Sequence, residues 1–196
     1  MRAGLTLYVA RHGQCEHNVL GVVAGQNDSP LTELGREQAR ANGRLLAKLL
    51  PNPAALDFYA SPLHRTAHTM EILRSAAGLA REGYVADRRL MELDCGLNTW
   101  RRWPEIAADF ERDRALQTDA WTWRHPQGES LAGLHARVGE FVRSLARDAV
   151  IVAHAGSMRM LRAHVLGLSQ EATMAYHPPN AGILKLSAGG ESYFGV

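Results

Sequence analysis

The chain alternates between short apolar runs and longer segments in which apolar residues recur at helical spacing. Two of the runs, Leu5–Ala10 and Ala149–Ala153, are almost wholly apolar, which is typical of strands buried on both faces of a sheet. Asp57–Ala60 predicts a third strand, because Ser61 and Pro62 stop it. Weaker strand signals lie at three further places, namely Tyr84–Ala86, Ile183–Ser187 and the last few residues.

Three segments between these strands predict helices. Thr32 can cap the first, which runs to about Leu50. The second covers about His64–Gly78, and the third covers Leu131–Arg147. The apolar residues of the third helix fall on one face: Leu131, Leu134, Val138, Phe141, Val142 and Leu145. Strands that alternate with helices predict an α/β fold with a mostly parallel sheet.

Two histidines follow directly from the two most apolar strands. His12 stands in Arg11-His12-Gly13 after the first strand, and His154 begins His154-Ala155-Gly156 after the strand at 149–153. In parallel sheets, ligands bind in the crevice beyond the carboxyl ends of the strands. The sequence therefore places His12 and His154 at one edge of one sheet.

The composition excludes several classes of protein. With 196 residues, 46% of them hydrophobic and 21% charged, the chain is typical of a single domain covering residues 1–196. A net charge of +2 does not indicate binding to nucleic acid or to a membrane surface, and no apolar stretch approaches the ~18 residues of a membrane helix. The two cysteines, Cys15 and Cys95, form no disulfide framework, and without an export signal we expect a cytoplasmic protein.

The strand ends and loops carry a series of polar motifs. In chain order these are Arg11-His12-Gly13 followed by Asn18, Ser61-Pro62-Leu63-His64-Arg65-Thr66, Glu92 within Leu90–Gly96, Pro126–Ser130, and His154-Ala155-Gly156. In this order and spacing they resemble the histidine phosphatase superfamily over nearly the whole chain. The resemblance implies a phosphoglycerate-mutase-like, three-layer α/β/α architecture with a mostly parallel central sheet.

The same residues suit phosphoryl transfer, which needs an in-line nucleophile, positive charge around the phosphoryl oxygens and a proton for the leaving oxygen. A neutral imidazole such as that of His12 is a competent nucleophile near neutral pH. Arg11 and Arg65 offer planar donor pairs for phosphate oxygens, and a protonated His154 adds another donor. The resemblance implies these roles, with transient phosphorylation of His12.

Glu92 is the candidate acid, because the pKa of a carboxyl buried beside a dianion rises until it can hold a proton at neutral pH. Asp94 and Glu129 are the alternative acids in neighbouring motifs. The resemblance also assigns phosphate contacts to Asn18 and Ala155.

A metal site is a weaker interpretation. His64 and His68 are four residues apart and could share a helical face, but the glutamate of the zinc-protease signature is absent and Arg65 would oppose a cation. Nucleotide-binding glycine motifs are absent as well. We therefore expect no metal and no cofactor, a small phosphate ester as the partner, no nucleic acid or membrane, and a possible homodimer.

The function predicted from these observations is phosphomonoester hydrolysis. A phosphoglycerate mutase is the alternative within the family, although the interval from Glu92 to His154 is shorter than the resemblance implies for a mutase. A catalytically silent module that binds a phosphorylated ligand is the alternative outside the enzymes.

A helical, lid-like insertion is predicted at about 97–125. It contains all four tryptophans and five arginines, Arg101, Arg102, Arg112, Arg114 and Arg124. It could cover a substrate with an aromatic or an anionic remainder. Trp100, Trp103, Ala107 and Phe110 would share one helical face, which favours core packing for these tryptophans.

Overall fold

The computed structural model describes residues 4–114 and 119–196. Within these residues, strands and helices alternate along the chain. The elements are β1 (Thr6–Arg11), α1 (Glu16–Leu20), α2 (Glu33–Leu49), β2 (Asp57–Ala60), α3 (His64–Ala76), β3 (Val85–Ala86), α4 (Trp103–Arg114), α5 (Leu131–Ser144), β4 (Ala149–Ala153), α6 (Ala155–Leu166), α7 (Gln170–Met174), β5 (Ile183–Ser187) and β6 (Gly190–Phe194).

The six strands form one sheet in the order β3-β2-β4-β1-β5-β6. The first four are parallel to one another, and β5 and β6 complete the sheet as antiparallel strands. Ile151 of β4 is paired with Val9 of β1 on one side and Tyr59 of β2 on the other. All five residues of β4 are buried, as its continuous apolar run predicts. The mostly parallel sheet is confirmed.

Helices cover both faces of the sheet. Leu134 and Phe141 of α5 pack with Met160 of α6 against one face. Leu46 of α2 and Met70 of α3 pack against the opposite face. These two apolar clusters make the molecule a three-layer α/β/α structure, as expected.

The helix boundaries follow from local capping. Thr32 accepts a hydrogen bond from the backbone N–H of Gly35 at 3.0 Å, which fixes the start of α2 as predicted. Ser130 caps α5 in the same way, through the N–H of Gly133 at 3.1 Å. Helix α5 ends at Ser144, three residues before the predicted Arg147. The short helices α1 and α7 carry too few residues to show a periodic pattern, and the sequence analysis did not predict them.

The packing interpretation of the tryptophans is wrong for Trp100 and Trp103. Helix α4 begins at Trp103, so Trp100 lies outside it, with a left-handed backbone (φ 73°). Tertiary contacts explain this, because the N–H of Trp100 donates to the carbonyl of Val23 at 2.8 Å and its ring lies 4.2 Å from that of His17. Trp100 and Trp103 are 56% and 58% exposed. Residues 115–118 of the predicted insertion lie outside the described residues.

No helix in the described part of the chain is long and apolar enough to cross a membrane.

Candidate active site

Three neighbouring strand ends define the candidate site. In the parallel set β2-β4-β1, the residues after the strands are Ser61, His154 and His12. The N–H of His12 donates to the carbonyl of Ala153 at 2.9 Å, and the N–H of Ser61 donates to that of Val152 at 3.2 Å. The loops are therefore extensions of the sheet, and the prediction that His12 and His154 share one sheet edge is confirmed.

His12 is held in one tautomer. Its Nδ1 lies 2.8 Å from the carbonyl oxygen of Gly13, which can only accept, so Nδ1 carries the proton and Nε2 keeps its lone pair. The ring is buried, and burial together with the charges of Arg65 and Arg11 holds the pKa of His12 well below its ordinary value of 6.5. His12 is therefore a neutral imidazole with Nε2 available as a nucleophile.

This state of His12 can be tested by nuclear magnetic resonance. Because the pKa is lowered, we expect Nε2 of His12 to remain unprotonated at pH 6.5 and to become protonated only at lower pH. The ¹⁵N chemical shifts of the imidazole, assigned by their loss in His12→Ala, measure this directly. A midpoint at or above pH 6.5 would contradict the electrostatic argument.

The loop after His12 is fixed by close backbone packing. A Cβ atom on Gly13 would lie 2.1 Å from the carbonyl oxygen of Gly35 in α2, so only glycine fits. The N–H of Gly13 donates to Thr69 Oγ1 at 3.0 Å, and Asn180 Nδ2 donates to the carbonyl of His12 at 2.8 Å. The position of His12 is therefore set by contacts on both sides.

His154 faces His12, with ring centroids 5.2 Å apart at an interplanar angle of 61°. Its Nε2 is 2.9 Å from the hydroxyl of Ser61, which already accepts the N–H of Leu63 at 3.4 Å and can donate its own proton to the ring. Nδ1 is then the protonated nitrogen, and it is buried without a hydrogen-bond partner among residues 4–114 and 119–196. Burial and the positive charges of Arg65 and Arg11 hold the pKa of His154 well below its ordinary value, so its ring is neutral.

The two predicted arginines are held by backbone carbonyls. Arg65, 1% exposed, donates through Nη1 to Asn27 at 2.7 Å and through Nη2 to Gly25 at 2.8 Å. Arg11 donates through Nη1 to Pro178 at 3.0 Å. The Nε atom of each is buried and finds no acceptor in the described part of the chain.

Buried donors without partners in the described part of the chain recur among these residues. A buried donor without an acceptor costs about 1–3 kcal/mol, so such atoms mark places where a ligand completes the hydrogen bonding. Nε of Arg11, Nε of Arg65 and Nδ1 of His154 are three such donors, and all three residues act electrostatically on His12 or on one another. Arg11 and Arg65 line one cavity with His12, and His154, which is fully buried and not among the described lining residues, has its ring centroid 5.2 Å from that of His12.

Glu92 is the one acidic residue among the described residues that line the cavity of His12. Its carboxylate accepts the N–H of Leu93 at 2.9 Å and the N–H of Gly156 at 3.1 Å. It lines the same cavity as His12, whereas Asp94 and Glu129 are not among the described residues that line it. The geometry therefore favours Glu92 over the two alternative acids.

Arg137, which sequence reasoning missed, holds the loop that carries Glu92. Its guanidinium donates to the carbonyl of Glu92, and also to those of Arg89 and Met91, each at 2.8 Å. The Glu129 carboxylate accepts from Nε and Nη2 at 2.8 and 2.9 Å. Glu129, predicted as an alternative acid, thus belongs to the support of the loop. No sequence signal links positions 92 and 137, since they meet only in the fold.

Gly156 of α6 contacts the carboxylate of Glu92 directly, through its backbone N–H. A Cβ atom at residue 156 would lie 2.2 Å from Glu92 Oε1. That carboxylate is the end of a flexible side chain, so we expect Gly156→Ala to fold normally but to displace the acid. Turnover of an alkyl phosphate, which needs a proton on the leaving oxygen, should fall about 10-fold or more, with a smaller loss on p-nitrophenyl phosphate.

Comparing steady-state rates of Gly156→Ala on these two esters tests this placement of Glu92. Gly189→Ala, in the turn between β5 and β6, serves as a control, because a Cβ there would lie 3.7 Å from the nearest atom, Ser187 Oγ, which is an ordinary van der Waals contact. Losses of equal size on the two esters would contradict the argument.

The two further predicted phosphate contacts line the cavity as well. Asn18 Oδ1 accepts the N–H of Cys15 at 3.1 Å and its thiol at 3.3 Å, which leaves the amide NH₂ of Asn18 as a donor. Ala155 is the first residue of α6, where the backbone N–H has no intrahelical acceptor. Both positions present N–H donors of the kind that an anion takes up.

The two cysteines are buried and line the cavity. Burial, followed by the charges of Glu92, Asp94 and Glu129, raises the pKa of Cys95 to about 12. Cys95 is therefore a neutral thiol at physiological pH, which argues against it as a reactive group.

The described residues enclose a cavity of about 620 Å³ at this sheet edge. They contain no group of three or more His, Cys, Asp or Glu side chains that could hold a metal ion. His64 and His68 lie with ring centroids 5.5 Å apart on α3 and do not line the cavity in the described part of the chain. The cationic groups at the site are the side chains of arginines.

Comparison with known proteins agrees with this geometry. The family model of the histidine phosphatase superfamily (branch 1) matches residues 7–194. A relative from Erwinia tasmaniensis named "Probable phosphoglycerate mutase GpmB" is 32% identical over 188 residues, which cover 93% of this chain and 84% of the relative.

Two solved structures share the fold. A mycobacterial glucosyl-3-phosphoglycerate phosphatase in complex with VO₃ has a TM-score of 0.75 and 32% identity, covering 94% of this chain and 91% of that one. An Escherichia coli K-12 protein proposed to be an α-ribazole-5′-P phosphatase has a TM-score of 0.77 over 98% of this chain and 95% of its own, and its 23% identity supports the fold alone. The strand-end histidines, the buried arginines and the match over residues 7–194 lead to one conclusion: the chain belongs to the histidine phosphatase superfamily, whose members carry out phosphoryl transfer.

Proposed function

We propose that this protein is a metal-independent phosphomonoester hydrolase that acts through a phosphohistidine on His12. The observation that carries the proposal is the set of three buried donors without partners in the described residues, on Arg11, Arg65 and His154, around a neutral imidazole with a free Nε2. A silent binding module would need the donors but would not need a nucleophile fixed in one tautomer.

In the first step, Nε2 of His12 attacks phosphorus, forming an N–P bond as the P–O bond to the alcohol breaks. Nε of Arg11 and of Arg65 and Nδ1 of His154 donate to the phosphoryl oxygens, where negative charge accumulates. The arriving dianion also favours a protonated His154, which strengthens its hydrogen bond.

Glu92 handles the proton in both steps. As the general acid, Glu92 gives a proton to the departing alkoxide. In the second step the resulting carboxylate takes a proton from water, whose oxygen attacks phosphorus as the N–P bond breaks. Inorganic phosphate leaves, and both His12 and Glu92 return to their starting states.

Hydrolysis is favoured over mutase activity by the short interval between Glu92 and His154 and by the nature of the cavity. A mutase must retain a phosphoglycerate and return the phosphoryl group to it, which calls for groups that hold its carboxylate. Beyond the donors at the sheet edge, the described cavity wall is mainly apolar. The relatives bear both kinds of name, so product analysis decides.

The deciding experiment uses p-nitrophenyl phosphate and 3-phosphoglycerate. We expect release of inorganic phosphate from p-nitrophenyl phosphate, and no 2-phosphoglycerate from 3-phosphoglycerate. Formation of 2-phosphoglycerate faster than inorganic phosphate would make the protein a mutase. Binding of vanadate without turnover of any ester would make it a binding module.

Catalysis is expected to need no metal, because arginine and histidine side chains supply the positive charge. Turnover of p-nitrophenyl phosphate should be unchanged after dialysis against EDTA, and vanadate should inhibit as a pentacoordinate mimic of the transition state. Activity that disappears with EDTA and returns with Mg²⁺ or Zn²⁺ would contradict this proposal.

A cytoplasmic location, a small phosphate ester as the partner and a homodimer remain predictions from the sequence. Cell fractionation and sedimentation analysis test the location and the oligomeric state.

A further inference from the structure

The cavity has two chemically different kinds of lining residue. Polar side chains of Arg11, His12, Arg65 and Glu92 form one part of its wall. Another part, which we call the apolar chamber, is formed by Val22, Ile106, Phe110, Trp123, Leu131, Leu134 and Met174. The whole cavity, at about 620 Å³, falls within the ~300–1,000 Å³ typical of sites for small organic ligands. A phosphoryl group alone would leave most of it empty, so the chamber is the place for the alcohol part of a substrate.

Aromatic rings form one side of the apolar chamber. The rings of Phe110 and Trp123 lie 5.7 Å apart at 74°, and those of Trp123 and His125 lie 4.8 Å apart at 64°. Burial lowers the pKa of His125, so its ring is neutral, and Nε1 of Trp123 is anchored by Asp113 Oδ2 at 2.9 Å. Fixed edge-to-face rings of this kind favour a further aromatic ring as their neighbour.

Charge that could bind a second anion is sparse near the apolar chamber. None of the five arginines of the segment at about 97–125 is among the described residues that line the cavity. Arg101 and Arg112 pair with Asp109, and Arg114 pairs with Glu111. Besides Arg11 and Arg65, the one arginine among its described lining residues is Arg159.

Arg159 is already engaged by the protein. Its Nε donates to the carbonyl of Tyr176 at 2.6 Å, and its Nη2 lies 3.0 Å from Nδ1 of His177. These contacts use two of its five N–H donors, so Arg159 is the single described lining arginine besides Arg11 and Arg65 that could serve a charged remainder.

We propose that the apolar chamber selects phosphate monoesters whose leaving group is a bulky, uncharged aromatic alcohol or phenol, in preference to small anionic metabolites. The inference rests on the proposed function, since it assigns the substrate class of the same site. The sequence analysis left two kinds of substrate open, one with an aromatic and one with an anionic group beside the phosphate. The proposal selects the aromatic kind.

The first test compares phenyl phosphate with 2-naphthyl phosphate, whose leaving groups are both phenols and differ chiefly in apolar area. We expect kcat/KM to be at least about 10-fold higher for the naphthyl ester, since added apolar groups in a fitting pocket give this scale of discrimination. Benzyl phosphate should likewise exceed 3-phosphoglycerate and glycerol 3-phosphate. A preference for 3-phosphoglycerate, or equal values for the two aryl esters, would overturn the proposal.

Two neighbouring alanines of α4 provide a matched pair of variants. Ala107 and Ala108 are both exposed, but only Ala107 is among the described residues that line the cavity. Ala107→Asn places a polar amide at the chamber without adding charge, and should lower the naphthyl-to-phenyl ratio of kcat/KM about 3-fold or more. Ala108→Asn should leave that ratio unchanged. Equal ratios in both variants and the parent would overturn the placement of the leaving group.

A binding measurement separates this proposal from the proposed function. Calorimetry with 2-naphthylmethylphosphonate and methylphosphonate, neither of which can be hydrolysed, should show at least about 10-fold tighter binding of the naphthyl compound. If the naphthyl compound binds more tightly but no ester is turned over, the proposed hydrolase activity is wrong and the proposed preference for aromatic ligands is supported. If esters are turned over without any aromatic preference in rate or binding, hydrolysis stands and the ligand class is wrong.

Discussion

Replacing His12 with alanine is expected to abolish the phosphoenzyme and to lower turnover on the order of 10⁵–10⁶-fold, the scale on which loss of a covalent nucleophile acts. The reason is structural: the neutral ring has its Nδ1 proton committed to Gly13, so Nε2 keeps the lone pair that the proposed mechanism uses. Quenching with ³²P-labelled substrate under alkaline conditions should trap an acid-labile phosphohistidine in the parent and none in His12→Ala.

Two controls keep this result interpretable. His64→Ala removes a histidine that is exposed and does not line the described cavity, so it should retain parental turnover and phosphoenzyme. Circular dichroism should show that His12→Ala keeps its fold. Near-normal turnover by a folded His12→Ala would refute the assignment of the nucleophile.

The parts of the site that lie on strands could be predicted from the sequence. The runs before His12 and His154 are apolar enough to mark central strands, and parallel strands bring their carboxyl ends to one edge. The two strands are neighbours in the sheet. The local sequence pattern is therefore enough to predict that these two histidines lie close together. Arg65 belongs to a motif directly after a third such strand, β2.

The support of the acid could not be predicted in this way. The apolar pattern of α5 predicts which face of the helix is buried, but it says nothing about the contacts of a polar residue such as Arg137. The carbonyl groups that Arg137 binds are 45 to 48 positions away in the sequence. Asn180 reaches the carbonyl of His12 across 168 positions. Such contacts depend on tertiary geometry and leave no periodic trace in the chain.

The segment around Trp100 shows a conflict between local pattern and tertiary contact. Trp100 and Trp103 have the spacing of a helical face, but the backbone of residues 100 and 101 forms two hydrogen bonds with Val23, each 2.8 Å long. These bonds hold Trp100 in a left-handed conformation, and α4 starts only at Trp103. Helical periodicity indicates where a helix can form. It does not indicate where hydrogen bonds to a distant segment, here to Val23, prevent the helix.

Replacing Glu92 with glutamine is expected to divide substrates according to their leaving groups. The amide keeps the shape of the side chain but cannot supply an acidic proton. An alkyl phosphate, which would expel a strongly basic alkoxide, should lose about 10²–10⁴-fold in turnover, the usual contribution of general acid catalysis. With p-nitrophenyl phosphate, whose phenolate leaves without a proton, the phosphorylation step should fall much less.

The second half of the proposed reaction adds an independent signature, because in it the same carboxylate activates water against the phosphohistidine. In Glu92→Gln that step should slow for every substrate, so p-nitrophenolate should appear as a burst whose size matches the amount of enzyme, and phosphoenzyme should accumulate. Gly156→Ala, which displaces the carboxylate without removing it, should show the same pattern more weakly, since both changes act on one group. Equal losses in the phosphorylation step for alkyl and aryl esters, with no burst, would mean that Glu92 only positions its neighbours. In that case the proton for the leaving oxygen would have to come from the substrate or from water, since neither Asp94 nor Glu129 is among the described residues that line the cavity.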